Sequence, residues 1–181
     1  MTIKMIKALA VSSALFPSLA LAVGMEDPLP PKETQTTVEC ETGTIWDDEA
    51  KECVKPKDAS LDDDALYKAV RELAYFDNPE TALEVLGVMQ EGETDRVLTY
   101  LGFAHRKLGD MTAAYSYYDK ALEQNPDNLM ARSYLGQAYV SEGLFDLATA
   151  ELSEIRARGG RGTWPEVALR LAIDTGSGKA Y

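Results

Sequence analysis

A block of the chain returns on itself after 34 residues, and this self-similarity constrains the fold more than any other feature. Leu101-Gly102 recurs as Leu135-Gly136, Gly109 as Gly143, Ala114 as Ala148; His105 stands where Tyr139 stands and Tyr118 where Leu152 stands. Each recurring position has a task in a helix-turn-helix unit. Gly102 and Ala114 are small enough for two helices to approach closely, and Gly109 falls at the turn between them. Tyr118 and Ala121 share the apolar stripe of the second helix. Asn125-Pro126-Asp127 ends that helix and lets the next begin. A unit of this length cannot bury its apolar face alone, so units of this kind stack.

The pattern resembles the tetratricopeptide repeat: Leu-Gly early, an aromatic three residues after the glycine, a small residue opening the second helix, an aromatic four later and a late proline. Asp95 to Asn128 follows it nearly throughout, with His105 in place of the usual aromatic. Leu129 to Gly162 follows it in its first helix and more loosely in its second, where Gly160 takes the proline position. Leu61 to Thr94 fits at an offset of 32, with Ala82 and Leu86 matching Ala114 and Tyr118, but has Ala69-Val70 for Leu-Gly, as in a terminal repeat. Thr163 and Glu166 form a capping-box pattern before Trp164, Val167, Leu169, Leu171 and Ile173, an apolar helix suited to closing the stack. The expected fold is all-α: about three repeats and a capping helix, seven helices in all over 60–174, then a flexible tail, 175–181.

The N-terminal third differs. Met1 to Lys7 carries two lysines and no acid, Ala8 to Leu21 is mostly apolar, and Ala20-Leu21-Ala22 has the small-x-small form of a secretory cleavage site. The apolar stretch is too short and too interrupted for a membrane span. Residues 1–22 are therefore expected to be a cleaved signal peptide, and the protein periplasmic or secreted. Val23 to Val38 is proline-rich and polar and reads as an extended tether. Cys40 and Cys53 are the only cysteines, and in an oxidising compartment they are expected to close a disulfide loop. That loop holds a candidate hairpin at Gly43 to Trp46, and residues 23–59 form a unit ahead of the repeats. Lys55-Pro56-Lys57-Asp58 is a second linker, and Ser60 with Asp63 a candidate capping box.

Composition narrows the function. Thirty acidic against 18 basic residues give a formal charge of −12 in 181 residues, which excludes a nucleic-acid binder with a broad basic face. One histidine and two cysteines leave little for a zinc site. The acidic run Asp62-Asp63-Asp64 lacks the glycine and terminal glutamate of a calcium loop, and Gly159-Gly160-Arg161-Gly162 lacks the Lys-Ser/Thr of a phosphate loop. No catalytic residue, cofactor or metal site is expected, and the chain reads as non-enzymatic. His105 is expected as a core substitute for the repeat aromatic. Arg156, Arg158 and Arg161 sit where a helix end favours cations, with an anionic contact point as the alternative.

The resemblance also implies where a partner binds. In the tetratricopeptide family the first helix of each repeat lines a concave groove that takes peptides. Here those helices present Tyr67, Arg71 and Tyr75, then Thr99, Phe103, Arg106 and Lys107, then Ser133, Gln137 and Val140. Cations among aromatics suit an acidic peptide or protein partner. The asparagines with which the chaperone-binding members clamp a carboxylate are absent from these positions. A second reading assigns recognition to the Cys40–Cys53 loop, with Trp46 stacking on an envelope glycan or peptidoglycan.

Overall fold

The computed structural model describes residues 29–178. The expected signal segment lies outside them, as do the last three residues. Among the described residues the order is α1 (Gln35–Val38), β1 (Ile45–Asp47), β2 (Glu52–Val54), a 3₁₀ turn (Pro56–Asp58), then α2 (Asp63–Tyr75), α3 (Pro79–Leu86), α4 (Asp95–Lys107), α5 (Met111–Gln124), α6 (Leu129–Ser141), α7 (Phe145–Ala157) and α8 (Trp164–Thr175). The seven helices expected after Ser60 are α2 to α8. They pack as the successive pairs α2–α3, α4–α5 and α6–α7, and α8 lies on both helices of the last pair.

The turn inside each strong repeat follows from its glycine. Gly109 and Gly143 have φ of +85° and +78°, a region in which other residues are strained. Asp110 then caps α5, its Oδ1 accepting from Ala113 N at 3.1 Å. At the C-terminal end of α4, Arg106 and Lys107 complement the negative helix terminus. Gly102 and Gly136 set the helix spacing: an added Cβ would lie 2.6 Å from Tyr118 Cε1 in the first case and 2.6 Å from Leu169 in the second. At the proline position of the second repeat, a Cβ on Gly160 would meet Ile155 Cγ2 at 2.6 Å, so α7 is left through a contact only glycine allows. Leu169 and Ala172 of α8 join Val140, Ala148, Leu152 and Ile155 in one buried cluster, closing the stack.

Several local expectations are corrected. Ser60 does not cap α2. Asp62 does, through its bond from Ala65 N, while the Ser60 hydroxyl and N–H both donate to Asp47. Thr163 sits at the N-cap of α8 without a side-chain capping bond, its hydroxyl donating instead to Gly160 O. The tether is not extended to its end, because Gln35–Val38 forms a helical turn capped by Thr34. The described part of the tail is not loose either: Ser177 N donates to Ala172 O, and Gly178 is buried.

The cysteine loop is docked. Cys40 and Cys53 are bonded, β1 and β2 pair antiparallel with Trp46 opposite Cys53, and the hairpin runs from Ile45 to Val54 rather than within Gly43 to Trp46. Ile45 is fully buried in the same core cluster as Leu66, Val70, Leu73 and Val85 of α2 and α3. Glu72 of α2 accepts four hydrogen bonds, from the backbone and hydroxyls of Thr34 and Thr37. Gly43 N donates to Thr81 Oγ1 on α3. The stapled segment therefore serves as an N-terminal cap on the first helix pair, covering a face that a repeat stack would otherwise leave exposed.

Candidate functional site

The first helices of the repeats, α2, α4 and α6, are bound together by aromatic rings. Tyr67 meets Tyr100 edge-on at 5.5 Å, and Tyr100 meets Tyr134 edge-on at 5.8 Å. Phe103 packs 4.4 Å from Tyr134. All four rings are buried. Such tilted and edge-on pairs match ring edges to ring faces and add to the area they bury. Tyr100 and Tyr134 were not among the residues singled out from sequence, although their spacing equals the repeat length and carried the signal.

The ten predicted groove residues separate into a floor and a rim. Tyr67, Thr99, Phe103, Ser133, Gln137 and Val140 are buried. Tyr67 lies beneath the Arg96 guanidinium, 4.7 Å from its ring centroid. Thr99 donates to Asp95 O and accepts from Asn128 Nδ2, tying α4 to the start of α6. Ser133 donates to Pro165 O at the start of α8 and accepts from Gln137 Nε2. Arg71 is also buried, with Nε donating to Tyr100 Oη at 3.3 Å and Nη2 to Leu29 O at 2.7 Å. Burial opposes its charge, but the phenol oxygens of Tyr100, Tyr67 and Tyr134 outweigh this and hold its pKa above the usual arginine value.

Tyr75, Arg106 and Lys107 remain partly accessible. Tyr75 packs edge-on against Phe76 at 5.4 Å. Arg106 lies over the Phe103 ring at 5.0 Å and donates from Nη1 to Gly178 O at 2.8 Å. Lys107 Nζ donates to Asp77 Oδ1 at 2.7 Å and sits 5.7 Å from the same ring. Helix-face spacing identified the positions that share this side of the stack. It did not reveal that α8 and the chain segments at Leu29 and Gly178 lie over much of it.

Beside Arg106 and Lys107 the surface opens into a cleft of about 540 Å³, lined also by Asp77, Glu80, Met111 and Ser141 and by Gly176 to Gly178. Its rim carries both charge signs. It offers cations to a carboxylate or a carbonyl and an apolar wall to a methylene chain.

The remaining candidates are engaged elsewhere. Asp62 caps α2, Asp63 accepts from Gln90 N and Glu91 N, and Asp64 pairs with Arg96. Among the described residues no group of three or more His, Cys, Asp or Glu is arranged to hold a metal ion. His105 is half-buried and stacks on Tyr117 at 5.3 Å, so it keeps an aromatic contact at the edge of the core. Arg156 binds Glu166 and lowers that carboxyl's pKa. Arg158 reaches Glu154, Asp127 and Pro126 O. Trp46 is partly exposed, with its Nε1 donating to Asp48 at 3.0 Å.

Residues 105–170, from the end of α4 into α8, match the family model of the tetratricopeptide repeat. Over that stretch the chain is similar to a family whose domains generally mediate protein–protein interaction. No curated protein and no solved structure matches the chain. No helix among the described residues is long and apolar enough to cross a membrane. With the match and the packing together, the fold is a short helical-repeat stack stapled at its N-terminal end by Cys40–Cys53.

Proposed function

We propose that this chain is a non-enzymatic, exported scaffold that binds an extended segment of a protein partner along the α2–α4–α6 face. Its mouth is the cleft at Arg106 and Lys107. The observation that carries this reading is that two arginines of the face, Arg71 and Arg106, each already donate to a main-chain carbonyl, those of Leu29 and Gly178. A face that holds main chain from its own molecule has the chemistry to hold main chain from another. Acidic side chains on the partner would meet Arg106 and Lys107, and the Phe103 ring behind them limits their freedom. The disulfide fits an oxidising compartment such as the periplasm, and so does the apolar, lysine-led start of the sequence with its cleavage pattern at Ala22.

The test is site-specific photo-crosslinking in cells. A photoreactive phenylalanine analogue replaces Lys107 at the cleft, or Asp119 on the exposed side of α5. Discrete adducts from position 107 that are missing from position 119 are expected, and Arg106→Glu in the same chain should deplete them. Equal adducts from both positions, or none from 107, would move the interaction away from this face.

A further inference from the structure

The C-terminal segment after α8 occupies the mouth of the same face in a seat built for glycine. Gly178 is buried against α6, and a Cβ on it would fall 2.7 Å from Gln137 O and 2.9 Å from Ser141 Cβ. No other residue fits there without moving helix backbone. From the opposite side, α4 supplies Arg106, whose Nη1 donates to Gly178 O at 2.8 Å. The segment leaves α8 through the helix C-cap, Gly176, whose φ is +67°, with Gly176 N donating to Ile173 O and Ser177 N to Ala172 O. The cleft that Gly178 lines is lined also by Lys107, Met111, Asp77 and Glu80.

We propose that Gly176-Ser177-Gly178 is an internal ligand of the binding face, seated where a partner segment carrying a glycine would sit, and that partner binding requires this segment to swing out about Gly176. The inference rests on the reading of this face as an interaction surface, and it names both a ligand feature and a brake. The ligand feature is main chain with a glycine over Gln137 and Ser141 and the carbonyl of that glycine on Arg106. The brake is competition, since a seated segment reduces the apparent affinity of any competitor by the fraction of molecules in which the seat is open. Release leaves α8 in place, because its buried residues Leu169 and Ala172 belong to the core and not to the seat.

The experiment supplies the segment in trans. A fluorescein-labelled peptide with the sequence of residues 174–181, Asp-Thr-Gly-Ser-Gly-Lys-Ala-Tyr, is titrated with the full chain and read by anisotropy. In the Gly178→Val chain the added side chain unseats the internal segment, and the peptide should bind at least about tenfold more tightly than to the unsubstituted chain, as expected for a seat open about a tenth of the time. Adding Arg106→Ala should cancel the gain. A peptide with valine in place of its second glycine should bind neither chain. Equal binding to both chains, or binding to neither, overturns the proposal. If Gly178→Val lowers the helical circular dichroism signal, Ser177→Pro, which removes the N–H bonded to Ala172 O, replaces it under the same criteria. Because no outside partner enters this measurement, its failure leaves the crosslinking result standing, and failed crosslinking leaves the seat standing.

Discussion

Tyr100 and Tyr134 are one repeat apart in sequence, and their hydroxyls meet at 3.2 Å inside the stack, with both rings nearly inaccessible to solvent. The contact joins the first helices of two successive repeats through a buried polar pair, and Arg71 extends it by donating to Tyr100 Oη. A buried hydroxyl that lost this arrangement would retain its desolvation cost without a partner.

Tyr134→Phe should therefore cost about 1 kcal/mol of unfolding free energy, the net worth of one intramolecular hydrogen bond. Tyr100→Phe should cost more, because it also removes an acceptor from the buried Arg71 guanidinium. Urea denaturation of the two variants checks the order. Equal losses would show that Arg71 gains nothing from Tyr100.

The Gly102 contact gives a second prediction. A methyl group there would press on the Tyr118 ring at 2.6 to 2.7 Å, and the ring is fully buried. Gly102→Ala should destabilise the protein by about 1 to 3 kcal/mol despite the better helix propensity of alanine. Combining it with Tyr118→Leu should cost less than the sum of the two single changes, since the smaller side chain makes room for the methyl. Additive losses in thermal denaturation would mean that the two residues do not compete for one space.

Legibility in the sequence followed the range of the interactions. The repeat register, the turn glycines and the closing helix were visible because each is set by residues at fixed spacing, such as Leu101-Gly102 and Gly109, and the cysteine pairing because the sequence holds only two cysteines. The tyrosine ladder was less legible, because at the offset of 32 Tyr67 aligns with Thr99 rather than Tyr100, so the spacing that joins Tyr100 to Tyr134 does not extend to it. The seating of Gly178 and the docking of Ile45 were not legible. Arg106 and Gly178 are 72 residues apart, and no local pattern records that a tail lies over a helix face. The capping of α2 was misassigned for a smaller reason. Ser60 and Asp62 are both good caps, and the choice was made by Asp47, which claims the Ser60 N–H and hydroxyl.

Reduction of Cys40–Cys53 offers a third prediction. Opening a loop of this size should remove about 3 kcal/mol on the chain-entropy argument. Because Ile45 and Val54 pack into the core shared with α2 and α3, the loss should appear in the main unfolding transition rather than in a separate early one. Urea curves with and without dithiothreitol, followed by helical circular dichroism, should each show a single transition, at a lower midpoint when reduced. An unshifted helical transition would mean that the stapled segment is an independent unit.

Acid should loosen this junction through Asp47. Its carboxylate is 1% exposed and accepts from Ser60 N, Ala50 N, Glu49 N and the Ser60 hydroxyl. The Ser60 and Ala50 N–H groups draw its pKa down from 3.8 to about 2. A carboxyl depressed by folding adds stability that is fully present above its unfolded pKa and disappears as pH falls through its folded one. Docking of the hairpin should therefore be constant from neutral pH down to about 4 and weaken between there and about 2. Trp46, next in sequence, reports this in a Trp164→Phe background. Asp47→Asn should loosen the hairpin already at neutral pH, since an amide accepts at only one of its two heavy atoms, and should remove the acid-dependent change in Trp46 fluorescence. If the Asp47→Asn chain keeps the same acid transition, another carboxyl is responsible.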